Sequence, residues 1–149
     1  MMDFSDLRKL RIVVADDELD TVRTLSQILA DEGHDVVGVG SAAAAIREIR
    51  NQVPDAVLVD ISMPGASGYE VAREARRIYG DLAPMMVAIS GKWKGQTDRM
   101  LSRLAGFNHF LEKPCDPKAI VDLLKDLRQR PAKPPVNLAD DTLTPPGHS

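Results

Sequence analysis

Ala56-Val57-Leu58-Val59-Asp60-Ile61-Ser62-Met63-Pro64-Gly65 is the stretch from which the rest of the chain can be read. An apolar run ends on a carboxylate and passes into Pro and Gly. A continuous apolar run bounded by turn residues reads as a strand buried on both faces, the kind found in parallel sheets covered by helices on either side. The signature recurs at Ile12-Val13-Val14-Ala15, Val36-Val37-Gly38-Val39, Met85-Met86-Val87-Ala88-Ile89 and Phe107 to Leu111. Helical periods lie between the runs. Val22, Leu25, Ile28 and Leu29 form one apolar stripe. Ala42, Ala45, Ile46 and Ile49 form a second behind Ser41 as N-cap. Val71, Ala72, Ala75, Ile78 and Tyr79 form a third, opened by Ser67-Gly68-Tyr69-Glu70 with capping-box spacing. Met100, Leu101 and Leu104 form a weaker fourth. Ile120, Leu123, Leu124 and Leu127 form a fifth, entered through Asp116 and Pro117. Gly33, Gly80 and Gly106 stand where three of these helices need stops. Five strands alternating with five helices predict an α/β domain built on a doubly wound parallel sheet.

The pattern ends near Arg130. Residues 131–149 hold five of the chain's ten prolines and little apolar periodicity. They read as a disordered Pro-rich tail after a domain of residues 1–130. The 149 residues carry 19 Lys+Arg against 22 Asp+Glu. With no basic excess or basic stripe, a nucleic-acid partner is not expected. Cys115 is the single cysteine, which rules out an intrachain disulfide. No apolar run approaches the ~20 residues of a membrane span. The start Met1-Met2-Asp3-Phe4-Ser5-Asp6 lacks the basic-then-apolar layout of a secretory signal, so a cytoplasmic location is expected.

In an open parallel sheet, sites form outside the carboxyl ends of the strands, where the strand order reverses. Asp16, Asp17 and Glu18 follow the first strand. Asp60 ends the third. Ser90 and Gly91 follow the fourth, and Glu112, Lys113 and Pro114 follow the fifth. If the first and third strands are neighbours, Asp16, Asp17 and Asp60 share one rim. Carboxylates crowded in a cleft need either a raised pKa or a hard divalent cation, and Mg²⁺ suits a few carboxylates with retained waters. A carboxylate beside Mg²⁺, an ammonium and a hydroxyl is equipped for phosphoryl transfer, with the carboxylate as nucleophile. Taken singly, an acidic pair after a strand is more often a helix cap, and Ser-Gly or Lys-Pro more often a turn. Their joint placement at four strand ends carries the reading.

On these residues the chain resembles the receiver domain of two-component response regulators, over about residues 8–130. The carriers are residues 12–18, residues 57–65, Ala88-Ile89-Ser90-Gly91, and Gly106-Phe107-Asn108-His109-Phe110-Leu111-Glu112-Lys113-Pro114. The resemblance implies a flavodoxin-like sheet of order 2-1-3-4-5 with five helices. It makes Asp60 the phosphoacceptor, and Asp16 and Asp17 the Mg²⁺-binding acidic pair. The Ser62 backbone carbonyl becomes a further metal ligand. Ser90 becomes the switch hydroxyl, Lys113 the lysine paired with the phosphoryl group, and Phe110 the switch aromatic. A cis peptide is implied at Lys113-Pro114. Ser62 and Lys92 fall where the family tunes phosphoryl lifetime.

The resemblance also implies partners. A histidine kinase or histidine phosphotransfer protein is the expected donor. An unknown downstream protein is expected on the face of helix four, strand five and helix five, and a homodimer is possible. With no further domain after residue 130, output through protein–protein contact is expected. Two alternatives are weaker. A phosphorylation-independent binding module of the same fold has no reason to keep the acidic set. An enzyme using Asp60 as nucleophile lacks a second Asp at Ser62, and a nucleotide enzyme lacks a Gly-rich Lys-Ser/Thr loop. Lys92-Trp93 reads equally as a solvated pair or as a partner contact. His34 and His109 read as surface or turn residues, and Cys115 as a small loop residue.

Overall fold

The computed structural model describes residues 8–63, 68–91 and 96–130, without the side chains of residues 96–99. The order is β1 (Arg11–Ala15), α1 (Leu19–Asp31), β2 (Asp35–Val39), α2 (Ala42–Asn51), β3 (Ala56–Asp60), α3 (Gly68–Tyr79), a 3₁₀ turn (Gly80–Leu82), β4 (Met85–Ser90), α4 (Gln96–Ala105), β5 (His109–Glu112) and α5 (Pro117–Arg128). The five strands form one parallel sheet in the order β2-β1-β3-β4-β5. Residues 131–149, Pro64, Gly65, Ser67, Lys92 and Trp93 lie outside the described residues.

The apolar runs are continuous because alternate side chains of each strand enter different cores. Val13, Ala15, Val57, Val59, Met86 and Ala88 join Ala42, Ala45, Ile49, Val71, Ala72 and Ala75 on the side of α2 and α3. Ile12, Val14, Leu58, Val87 and Ile89 join Leu25 and Leu29 of α1 and Ile120, Leu124 and Leu127 of α5 on the other side. Leu58 and Ile89 are essentially inaccessible, and truncating either to Ala would cost about 2–5 kcal/mol. Polar side chains close the remaining bonds. Tyr79 Oη donates to Ile49 O at 2.6 Å, and Asn108 Oδ1 accepts the Met86 N–H at 2.7 Å.

Helix ends follow the local chemistry read from the sequence. The Ser41 hydroxyl accepts the Ala44 N–H at 3.1 Å. The Asp116 carboxylate accepts the Lys118 N–H at 3.0 Å, with Pro117 opening α5. Gly106, at φ +113°, ends α4; a Cβ there would also come within 2.9 Å of Arg76 Cγ.

Three local expectations need correcting. β5 starts at His109, and Phe107 is a buried loop side chain before it. His34 is buried rather than superficial, because its Nδ1 accepts the Leu10 N–H at 3.2 Å. The Met100, Leu101 and Leu104 stripe faces solvent at 62%, 50% and 78% exposure, while Ser102 and Ala105 point inward. A helical period shows that a stripe exists but not which way it faces. Among the described residues, no helix is long and apolar enough to cross a membrane.

Candidate functional site

β1 and β3 are adjacent at the centre of the sheet, while the chain leaves them for opposite edges. A crevice therefore opens beyond their carboxyl ends. Asp16 follows β1 directly, and its N–H donates to Val39 O at 3.2 Å. Asp60 is the last residue of β3, in register with Ile89 of β4. Both are almost fully buried, whereas Asp17 is exposed. Carboxylate oxygens of Asp16, Asp17 and Asp60 all lie within 4.8 Å of one another.

The loop after β5 brings in the opposing charge. The Lys113 N–H donates to Ser90 O at 3.1 Å, which ties this loop to the end of β4. The Lys113–Pro114 peptide is cis. Lys113 Nζ lies 2.8 Å from Asp16 Oδ2, 3.1 Å from Asp60 Oδ2 and 2.8 Å from Glu18 Oε1. Burial works against its charge, but hydrogen bonds to the three carboxylates outweigh burial and hold the ammonium protonated well above the usual lysine range.

The two buried carboxylates are not equivalent. Burial raises Asp16, which its bonds to Lys113 and to the Glu18 N–H only partly offset. Burial acts the same way on Asp60. There it is overcome by the Ser62 hydroxyl, the Ser62 N–H and Lys113, which together hold the carboxyl below its ordinary range. Ser62 donates to Asp60 Oδ1 twice, from N at 2.9 Å and from Oγ at 2.6 Å. Asp60 therefore has Oδ1 held by Ser62 and Oδ2 by Lys113, which fixes the plane of the carboxylate at the rim.

The backbone around Asp60 is set by a close approach. A Cβ on Gly68 would come within 2.7 Å of Ile61 Cα and 2.8 Å of Asp60 O. Only glycine lets α3 begin this near the end of β3. Ser90, buried at the end of β4, completes the rim. Phe110 on β5 is half-buried beneath the Arg103 guanidinium, whose carbon stands 5.6 Å from the ring centroid.

The structure thus gathers Asp16, Asp17, Asp60 and Lys113 into one crevice, with Ser62 and Ser90 at its strand ends. Three hard carboxylate donors within reach of one point, beside a turn that offers backbone oxygen, fit a small hard cation such as Mg²⁺. Sequence reasoning assigned no role to Glu18, read Gly68 only as part of a helix start, and gave Ser62 a backbone ligand and a tuning role without its hydrogen bonds to Asp60. Glu18 was visible as a third acid next to the pair. Nothing in the sequence marks Gly68 apart from other helix-starting glycines. Cys115 is half-buried beside Lys113-Pro114, and burial raises its thiol.

The model of the response regulator receiver domain family matches residues 12–125. The DNA-binding response regulator MtrA of Mycobacterium tuberculosis is 30% identical over 146 residues, 96% of this chain and 62% of MtrA. The chain thus spans about three-fifths of the length of that relative. The receiver domain of the response regulator NarL from Mycobacterium tuberculosis superposes with a TM-score of 0.71 at 29% identity, covering 83% of this chain and 99% of that one. The receiver domain of the sensor histidine kinase PA1611 from Pseudomonas aeruginosa superposes with a TM-score of 0.72 at 24% identity, covering 83% and 100%. Its structure holds a magnesium ion in the active-site cleft.

Proposed function

The chain belongs to the response regulator receiver family, and from that premise we propose that it accepts a phosphoryl group on Asp60 from a phosphohistidine donor. The observation that carries the proposal is the single ammonium of Lys113 bridging two buried carboxylates, Asp16 and Asp60, at the sheet's switch point. A structural ion pair needs one carboxylate. A second one, raised by burial beside the first, costs stability unless the site has a use for it.

An oxygen of Asp60 attacks phosphorus in line with the P–N bond of the donor. The P–O bond forms as the P–N bond breaks, and the leaving imidazole takes up a proton. Asp16, Asp17, Asp60 and the Ser62 backbone carbonyl would hold Mg²⁺, which when bound neutralises charge on the transferring group. Lys113 supplies fixed positive charge to a phosphoryl oxygen, and the Ser90 hydroxyl donates to another. Asp60, held ionised by Ser62 and Lys113, is ready as a nucleophile without a general base.

The donor docks beside the crevice. An open groove of about 480 Å³ runs between α1 and the loop into α5 and ends at Glu18 and Lys113. Leu25, Ile28, Pro114, Cys115 and Pro117 line it, and Leu19 nearby is 62% exposed. An apolar trough ending at a charged site suits a helix of a histidine kinase or phosphotransfer protein. Output uses the other side. Movement of Ser90 toward the phosphoryl group and of Phe110 into the fold shifts the α4–β5–α5 face between two states. Met100, Leu101 and Leu104 make that face adhesive to a protein partner or a second copy. Ser62 and Lys92 tune the lifetime of the aspartyl phosphate. The protein is a phosphoacceptor rather than a turnover enzyme, and it acts in the cytoplasm.

The test is incubation with acetyl phosphate and Mg²⁺, followed by intact-mass measurement. A gain of one phosphoryl group, absent in Asp60→Asn and absent with excess chelator, is expected. The same gain in Asp60→Asn would overturn the assignment.

A further inference from the structure

Lys113 has a third anionic partner that the phosphoacceptor chemistry does not call for. Glu18 Oε1 stands 2.8 Å from Nζ, the same separation as Asp16 Oδ2. Glu18 occupies the N-cap position of α1, where a side chain ordinarily accepts a backbone N–H, and it accepts none. Its backbone is nevertheless pinned on both sides. Its N–H donates to Asp16 Oδ1 at 2.9 Å, and its carbonyl accepts the Val22 N–H at 3.2 Å. The main chain is therefore fixed to the acidic loop, while among the described residues the side chain bonds only the lysine.

The three partners differ in one respect. Asp16 and Asp60 belong to the carboxylate cluster able to surround a cation, together with Asp17, and Glu18 does not. A divalent cation and the Lys113 ammonium therefore compete for the same two carboxylates. Once those carboxylates face the cation, the ammonium is left beside a dication with only Glu18 to balance it. We propose that Glu18 is a positioning residue, the counter-ion that holds Lys113 at the rim while Asp16 and Asp60 are committed to a divalent cation. The Glu18 side chain is 64% exposed, so the contact is screened and weak enough to release the lysine toward an arriving phosphoryl group. The inference rests on the Mg²⁺-dependent reading of the site.

A double-mutant cycle on Mg²⁺ affinity tests it, using calorimetric titration of the full chain with Mg²⁺ alone at low ionic strength. Glu18→Gln should weaken Mg²⁺ binding by about threefold to fivefold, the range an exposed ion pair can supply. In a Lys113→Met background the same change should leave the affinity within about twofold, since no ammonium remains to be held. Glu18→Gln removes only the charge of an exposed side chain that, among the described residues, bonds Lys113 alone, and an unchanged melting temperature confirms that the variant folds. Equal weakening with and without Lys113 would show only the field of a nearby carboxylate and would overturn the proposal. So would unchanged affinity in Glu18→Gln. If the wild-type protein bound no Mg²⁺, the Mg²⁺-dependent reading would fall first and this inference with it.

Discussion

The two ends of the sheet are built on opposite electrostatic plans. At the carboxyl end, Asp16, Glu18 and Asp60 contact the ammonium of Lys113, with Asp17 beside the two buried carboxylates. At the amino end, Asp55 and Glu48 are each paired with an arginine, and the charged groups do structural work. Asp55 accepts the Arg11 N–H at 2.8 Å and pairs with Arg8 at 3.4 Å. Arg11 pairs with Glu48 at 3.3 Å. Arg128 donates to Arg8 O at 2.7 Å and to Glu32 O at 3.0 Å, joining α5 to the start of β1 and the end of α1. One end fastens the strands to the helices. The other leaves negative charge that folding alone does not need, and it is there that the proposed phosphoacceptor chemistry would take place.

Substitutions can break or sharpen this contrast. The largest effect is expected from Asp60→Asn, with complete loss of phosphoryl uptake by intact mass and a fold intact by circular dichroism. Asp55→Ala at the opposite end should do the reverse. It leaves the Arg11 N–H without its acceptor, removes the carboxylate paired with Arg8, and should cost about 1.5–3 kcal/mol in urea unfolding, with uptake retained. Gly68→Ala tests the contrast from within, because it lies at the functional end yet acts through backbone space. The clash with Ile61 and Asp60 O should cost about 1–3 kcal/mol and slow uptake as well.

Asp16→Asn should gain stability, by about 0.5–2 kcal/mol, while losing Mg²⁺-dependent uptake. Burial raises the Asp16 carboxyl, so folding works against its charged form, and the amide relieves that cost. A loss of stability in this variant would contradict the division between the two ends.

The smallest effect is a pH slope at the amino end. Burial first, and the Arg128 charge second, lower His34. The folded state therefore keeps it neutral, as an acceptor for Leu10 must be. The unfolded chain takes up its proton near the ordinary value of about 6.5, so stability should fall as pH drops below it. Burial lowers His109 in the same direction. His34→Asn keeps an acceptor oxygen without a titration and should flatten the slope of unfolding free energy between about pH 7 and 5.5.

Much of the site was legible in the sequence because its residues stand at strand ends. An apolar run such as 56–59 locates the end of a strand, and the next polar residue then lies on the rim. Asp16, Asp60, Ser90 and Lys113 follow from that rule. Glu18 did not, since the role proposed for it depends on a contact with Lys113 across 95 positions of chain. The Ser62 hydroxyl escaped because a turn residue two beyond an aspartate can point either way. His34 escaped because its burial comes from packing against the start of β1, which a lone histidine does not announce. The α4 stripe was visible as a period, and its outward face was not.

The sequence by itself determined the alternation of strands and helices, the caps and stops, and the set of groups at the strand ends. These depend on local periodicity and on chemistry between near neighbours. Only the tertiary structure decided that one ammonium serves three carboxylates, that burial sets Asp16 and Asp60 on opposite sides of the ordinary range, and that a glycine lets α3 start against Asp60. Such properties arise where separate segments exclude water from one another, and the energy of a charge depends on that exclusion more than on the residue that carries it.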